Sequence, residues 1–403
     1  MVKVAILGIG TVGGGTAEVL TKNRELIARR AGQEIELKYI LCRKPRPDHP
    51  FAHLIVHDID TIVNDDEIGV VAECIGGATL AYQYVRRCLE AGKNVVTSNK
   101  ELVAEKGLEL TTLARKKGVN FLFEASVGGG IPILRPICQC LAANEISSVC
   151  GILNGTTNYI LTEMIQCGKS FAQALREAQQ KGYAEADPTA DVEGIDAGRK
   201  ICILADLCFG KNVSPSSITT EGITHITPAD IECARLLGYK IKLLGRAMRT
   251  GPNAVSAFVA PHLVSKSNPL ANVDGVINGI SVKGDAVGEA MFFGPGAGAL
   301  PTASAVAGDI IDCVRDPSTR TYMGWWPSEP GYVTGPETLS CRWMVRLVAP
   351  LAKIGASFQG VRFIPAPNAE PDEYAFVTPY MPGEELTART AGMDVRARYR
   401  VLD

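Results

Sequence analysis

The chain opens with a short apolar run, Val2–Leu7, that leads directly into Gly8-Ile9-Gly10-Thr11-Val12-Gly13. Three glycines at this spacing, set between a strand pattern and a helical pattern, leave few folds open. The first permits a tight turn, the second lets the backbone approach a pyrophosphate, and the third lets a helix pack close on the strand. The start of the helix then offers N–H groups without intrahelical partners to the phosphates. The segment predicts a dinucleotide site at the first crossover of a parallel sheet; a glycine turn with no ligand is the competing reading.

The next hundred residues repeat the alternation. Strand patterns at Ile35–Leu41, 70–74, Asn94–Thr97 and 120–123 are separated by helical patterns at 11–30, 79–91 and 101–117, each with one apolar and one charged face. Apolar strands joined by amphipathic crossovers read as an α/β fold, a doubly wound parallel sheet of the Rossmann type. An NAD-specific site usually places Asp or Glu at the end of the second strand. Here that strand ends in Leu41-Cys42-Arg43-Lys44. Cations suit a ribose 2′-phosphate, so NADP(H) is favoured with NAD(H) possible, against the reading of two solvated loop cations.

From residue 131 to 293 the rhythm changes to helical stretches followed by strand-like segments, the pattern of an α+β second domain. The expected domains are 1–130 plus 294–315 for nucleotide binding, 131–293 for catalysis and dimerisation, a Pro- and Gly-rich linker at 316–340, and a small C-terminal domain at 341–403. Lys plus Arg number 41 against 43 Asp plus Glu, so no bulk charge favours nucleic acid or an anionic membrane. No window reaches the ~18 uninterrupted apolar residues of a membrane span, and no charged leader precedes the first strand, so a cytoplasmic protein is expected. The 12 cysteines are scattered without any CxxC, which excludes zinc ribbons and thioredoxin-type motifs and reads as small core side chains.

Two polar clusters carry candidate chemistry. Thr97-Ser98-Asn99-Lys100 ends a strand at the carboxyl edge of the sheet, where ligands bind in open α/β folds; a surface lysine is the bland alternative. The run Gly182 to Lys200 places Asp196 and Lys200 four residues apart, on one face of a helix. Such pairs are commonly exposed and of small energetic weight. Here Ile201-Cys202-Ile203-Leu204-Ala205 follows, so the pair sits where a polar loop meets a buried helix. A lysine partly desolvated yet held by a carboxylate stays protonated and can hydrogen-bond a developing alkoxide. His49, His53 and His57 have helical spacing, but Pro47 and Pro50 argue against a helix and so against a metal site. No cysteine has an evident basic partner, which disfavours an aldehyde oxidation through a thiohemiacetal.

These motifs, with EASVGGGIP at Glu124 to Pro132, NPLANVDG at Asn268 to Gly275 and FGPGAGALPTASAV at Phe293 to Val306, resemble those of the homoserine dehydrogenases over residues 1 to about 314. The resemblance implies NAD(P)-dependent interconversion of L-homoserine and L-aspartate 4-semialdehyde, in threonine, methionine and isoleucine biosynthesis. It implies catalytic roles for Lys200, as proton donor, and Lys100, and substrate binding by Glu185, Asp196 and Asp191. The cofactor would meet Gly8, Gly10, Thr11, Val12, Gly13, Arg43, Lys44, Thr97, Ser98, Lys100, Gly182 and Gly298. Carbonyls of Glu124, Val127, Gly129 and Ile131 would hold a monovalent cation, Na+ or K+, the glycines freeing the backbone to turn toward it. A homodimer, possibly a homotetramer, is implied. A nucleotide-binding sensor that has lost turnover is the alternative from another class; loss of Lys100, Lys200, Glu185 or Asp196 would mark it, and all four are present.

Because the first strand begins at residue 2, a monofunctional chain without a preceding aspartate kinase region is expected. Family members often end in a βαββαβ regulatory module of the ferredoxin-like, ACT-like kind that binds threonine. The tail has a compatible strand order but lacks the Asp-x-Pro-Gly turn before the first helix, carrying Pro350-Leu351-Ala352-Lys353-Ile354 instead. A degenerate module with an interaction or dimer-buttressing role is therefore expected, with retained threonine sensing as the alternative. Activity should be unchanged by millimolar threonine in a rate titration, and inhibition there would overturn this reading.

Overall fold

Strand β1 (Val2–Leu7) is a continuous apolar run, and Val4, Ala5, Ile6 and Leu7 are all fully buried. A strand buried on both faces needs neighbours on both edges and helices above and below. The structure, a computed structural model, supplies both. It describes residues 1–316, 318, 320, 323–366 and 370–402. Pro317 of the expected linker lies outside the described residues, as do 367–369 and Asp403 of the expected C-terminal domain.

The chain forms two compact units. The first comprises Met1–Ile146, Cys202–Pro215 and Lys283–Glu329. Its sheet contains β1, β2 (Ile35–Leu41), β3 (Ile55–Val56), β4 (Ile68–Glu73), β5 (Asn94–Thr97) and β6 (Phe121–Leu122), all parallel in the order β3-β2-β1-β4-β5-β6. This is the doubly wound parallel fold expected from the pattern, with one strand more than the five read from it. The order reverses between β1 and β4, which opens a crevice at their carboxyl ends. The short strand β3 has no periodic signal and was not foreseen. The helical pattern at 11–30 is divided at Asn23 into Thr11–Lys22 and Arg24–Ala31.

The helix Thr11–Lys22 packs closely on Ala299–Arg315. A Cβ added at Gly15 would lie 2.8 Å from the Ala299 carbonyl oxygen, so glycine sets the distance between these two helices. Within the segment read as a linker, Trp325 is core. It is 1 % exposed, stands edge-on to Phe123 at 5.9 Å, and donates its indole N–H to Asn212 Oδ1 at 2.9 Å.

The second unit comprises Ser147–Ile201, Ser216–Val282 and Pro330–Asp403. Its sheet runs β10-β7-β8-β9-β14-β11-β13-β12, where β7 is Ile146–Ile152, β8 Tyr239–Gly251, β9 Ala254–Ser265, β10 Ile277–Gly284, β11 Trp343–Val348, β12 Ile364–Pro365, β13 Glu373–Val377 and β14 Asp394–Leu402. The last four strands are antiparallel in the order 4-1-3-2, with helices Leu351–Ser357 and Gly383–Arg389 between them, which is the ferredoxin-like arrangement. Strand β14 also pairs in parallel with β9, so the module continues the main sheet. The apolar helical period of the sequence runs through residues 191–209, but Gly194, with a φ of +79°, ends one short helix, Thr189–Val192, before Ile195–Phe209 begins.

Gly15→Val is expected to lower unfolding stability by about 1–3 kcal/mol, the usual consequence of overpacking a tight contact. A denaturant melt with an unchanged midpoint would show that this helix pair tolerates separation.

Candidate active site

The glycine turn follows β1 because two neighbours fix its ends: Gly8 N donates to Leu41 O at 2.9 Å, and Cys74 N donates to Leu7 O at 2.9 Å. Gly8 has a φ of +99°, and a Cβ at Gly13 would stand 2.0 Å from Gly8 O. No side chain caps the helix that starts after Gly10, so its first N–H groups face the crevice. A cavity of about 600 Å³ lies there, lined by Gly8, Gly10, Arg43, Lys44, Arg46 and Tyr84 among others. The sequence reading missed Arg46; its signal was the basic run that Pro45 interrupts. Three cations at the end of β2 fit a phosphorylated ribose, and the bare glycine backbone fits a pyrophosphate.

Next to this crevice, a buried carboxylate organises two turns. Glu73 Oε1 accepts from Ile75 N at 2.7 Å and its Oε2 accepts from Thr97 Oγ1 at 2.6 Å; burial pushes this carboxyl above the usual range. Asn99 donates to Gly77 O at 2.7 Å and caps the helix that begins at Lys100, its Oδ1 accepting from Leu102 N at 3.1 Å. Thr97 thus faces a network inside the sheet edge, while Ser98 and Lys100 follow at the strand end. Glu73 was not singled out from sequence, because a buried acid inside an apolar strand has no periodic mark; Asn99 was named only as a member of the polar cluster, without its capping role.

The glycine loop after Glu124 is held from both ends. The Glu124 carboxylate accepts from the N–H groups of Ile133, Leu134 and Arg135 at 2.6, 2.9 and 2.7 Å. Its own N–H donates to Asp309 Oδ2 at 2.9 Å, and burial pushes the Asp309 carboxyl up to about 8. The carboxylate is thus fully engaged, so Glu124 could meet a cation through its carbonyl, which also accepts a long hydrogen bond from Val127 N at 3.5 Å. Gly128 and Gly129 have φ of +76° and +56°, and among the described residues no hydrogen bond is made to the carbonyls of Val127, Gly129 or Ile131. That donor set fits a hard monovalent cation. Gly130 N donates to Pro295 O at 3.0 Å, which seats the loop beside the segment that leads to Gly298, where φ is +123° at the start of the helix Ala299–Arg315.

In the second unit, Lys200 and Asp196 lie one turn apart on the helix Ile195–Phe209, 8 % and 4 % exposed. The Lys200 ammonium donates to Asp196 Oδ2 and to Leu153 O, both at 2.7 Å. Asn154, missed in the sequence, donates to Asp191 Oδ1 at 2.7 Å and to Asp196 Oδ2 at 2.9 Å. The structure thus brings Asp191, Asp196 and Lys200 together. It leaves Glu185 and Gly182 on an exposed turn, which Thr156 Oγ1 pins by donating to Tyr183 O at 2.6 Å. Burial pushes the Cys88 and Cys138 thiols up to about 12, far from the thiolate that a covalent aldehyde route needs.

Two family models match the chain: the one described as homoserine dehydrogenase over residues 132–311, and the one described as homoserine dehydrogenase, NAD binding domain, over residues 8–124. A homoserine dehydrogenase of Pseudomonas aeruginosa is 49 % identical over 324 residues, which is 79 % of this chain and 74 % of that protein. The chain belongs to the homoserine dehydrogenase family. The crystal structure of a homoserine dehydrogenase from Thiobacillus denitrificans matches with a TM-score of 0.90 at 38 % identity, covering 100 % of this chain and 98 % of that one. A hyperthermophilic archaeal homoserine dehydrogenase in complex with NADPH matches at 26 % identity and a TM-score of 0.67, over 79 % of this chain and 99 % of that one. The chain is thus an oxidoreductase with an NAD(P)-binding domain. Among the described residues no helix is long and apolar enough to cross a membrane.

On the lysine's own helix, Asp206 is buried, with Oδ1 accepting from Val213 N at 2.6 Å and Oδ2 without a partner; burial holds its pKa well above the carboxylate range. The folded chain keeps this proton at pH values where the unfolded chain has released it. The stability it contributes is full below the unfolded pKa of about 4 and is lost as pH rises toward the folded value. Asp206→Asn, which keeps an acceptor for Val213, should therefore melt higher than the parent at neutral pH and lose the advantage near pH 4. Parallel melting curves across that range would refute it.

Proposed function

We propose that this chain interconverts L-homoserine and L-aspartate 4-semialdehyde with NADP(H) in preference to NAD(H), serving the biosynthesis of threonine, methionine and isoleucine in the cytoplasm as a homodimer. The observation that carries the reading is the buried Lys200 ammonium, held between Asp196 and the Leu153 carbonyl at 2.7 Å each. Bound NADPH supplies the hydride that reduces the aldehyde carbon. Lys200 Nζ gives its proton to the aldehyde oxygen as negative charge develops there, and takes it back in the reverse direction. Asp196 keeps that nitrogen cationic and aimed.

Glu185 and Asp191 provide carboxylates for the substrate ammonium, and Lys100 adds a second cation for catalysis and cofactor. Gly8, Gly10, Thr11, Val12 and Gly13 bind the pyrophosphate. Arg43, Lys44 and Arg46 hold the 2′-phosphate, and Thr97, Ser98, Gly182 and Gly298 border the rest of the cofactor. The carbonyls of Glu124, Val127, Gly129 and Ile131 hold Na+ or K+, which stiffens the glycine loop. The NADPH complex of the archaeal relative supports the choice of cofactor.

The test is homoserine-dependent reduction of NADP+ against NAD+ by the purified chain. Lys200→Ala is expected to lower kcat by about 10²-fold or more, the usual weight of a general acid, with cofactor affinity unchanged. Arg43→Glu should cut the preference for NADP+. Equal loss of cofactor binding in Lys200→Ala would refute this division of roles, and cofactor binding without any turnover in the parent would favour a sensor.

A further inference from the structure

We propose that Asn154 is a positioning residue for this reaction: one amide group that holds Asp191 and Asp196 in register, so that Asp196 keeps Lys200 aimed. The inference rests on the function proposed above. Asn154 is 6 % exposed and precedes the helix Gly155–Cys167. Its Oδ1 accepts from Thr157 N at 2.9 Å and from Thr157 Oγ1 at 3.1 Å. Because an N–H donates to that oxygen, the orientation of the side chain is settled: the NH₂ group points the other way, and each of its two hydrogens meets a carboxylate. Asp191 Oδ1 is 2.7 Å away and Asp196 Oδ2 is 2.9 Å away.

Three segments meet in that one group. Asp191 belongs to the short helix Thr189–Val192, Asp196 and Lys200 to Ile195–Phe209, and Asn154 to the end of the connection after β7. Gly194, with its positive φ, separates the two acids and leaves their spacing to be set from outside. Two ionised carboxylates this near a common group repel each other, and a neutral donor bonded to both offsets that repulsion, since bonds from N–H groups favour the charged form of each acid. Leu153, the preceding residue, offers its carbonyl to Lys200, so adjacent residues fix both the lysine and its counter-ion.

A purely structural cap would not require asparagine. Serine and aspartate cap helices as well, but neither offers two N–H donors. The amide donates to the carboxylates of Asp191 and Asp196, and Lys200 shares Asp196 Oδ2 with it. With the donor gone, the full charge of Asp196 falls on Lys200, which raises the lysine pKa; an added carboxylate raises it further. The experiment compares Asn154→Ser and Asn154→Asp with the parent in aldehyde reduction with NADPH, recording kcat, both KM values, the pH profile and the melting temperature. We expect kcat to fall at least about tenfold in both, the scale of a lost hydrogen bond to a charged group. The KM for NADPH and the melting temperature stay near the parent's, and the alkaline limb of the kcat profile moves to higher pH, most in Asn154→Asp. The inference is overturned if either variant keeps kcat within twofold, if the limb does not move, or if activity falls only in step with the melting temperature. Absence of turnover in the parent itself would instead overturn the proposed function.

Discussion

Close backbone approach is the constraint on which the first unit depends. The helix Thr11–Lys22 begins so near the turn it leaves that any Cβ at Gly13 would collide with Gly8 O, and two residues later Gly15 lets the Ala299–Arg315 helix come within 2.8 Å of where a Cβ would stand. Both contacts are made by backbone atoms, which have nowhere to move. The turn, the first helix and a helix nearly three hundred residues later are therefore fixed as one body. That rigidity gives the crevice at the glycine turn its shape, because the turn and the uncapped start of the first helix border it.

A second constraint is the handling of buried charge. Glu73, Glu124, Asp196 and Lys200 are all nearly inaccessible, and burying an unpaired ion is costly. Each is met by fixed donors or acceptors: Glu124 by three successive N–H groups and Arg135, Glu73 by the turn after β4 and Thr97, Lys200 by Asp196 and a carbonyl. In each case the partners sit in turns that border the crevice or the lysine site. The charges thus set the conformation of those turns, and an isosteric apolar residue in their place would leave the N–H groups orphaned.

What was legible in the sequence follows from this. Apolar periodicity marked the parallel strands, and the glycine spacing marked the turn. The i, i+4 spacing of Asp196 and Lys200, with an apolar run beyond, marked the buried pair. Breaks at Asn23 and Gly194 were hidden because the apolar period runs through them. Glu124 appeared as one member of a carbonyl-lined loop, whereas its side chain is the loop's anchor, a difference that depends on the N–H groups of residues 133–135. Asn154 escaped, and the role of Asn99 went unread, because capping asparagines look like ordinary turn residues until the carboxylate or carbonyl they donate to is placed in space. Trp325 read as linker because prolines and glycines surround it, yet Gly107 leaves a slot for its ring.

The C-terminal module shows how far a compatible strand order goes. In a free 4-1-3-2 sheet the fourth strand is an open edge, a liability in water. Here β14 is paired with β9, and Arg400 on it is 2 % exposed, bonded to Glu337 and, at 3.0 Å, to Glu221, with its guanidinium over Trp343 at 4.6 Å and Phe258 at 5.2 Å. Arg346 on β11 reaches Asp230 at 2.8 Å, in the helix Pro228–Leu236. The opposite edge, β12, is only two residues long and includes Pro365, which has no N–H to offer. One edge is thus taken by β9, and the other is too short and too poor in donors to offer a long template to another strand. Strand β14 joins the module to β9, and Glu221, which Arg400 meets, is tied into the same sheet region: its N–H donates to Val259 O, and Ile223 N two residues on donates to Val192 O beside Asp191.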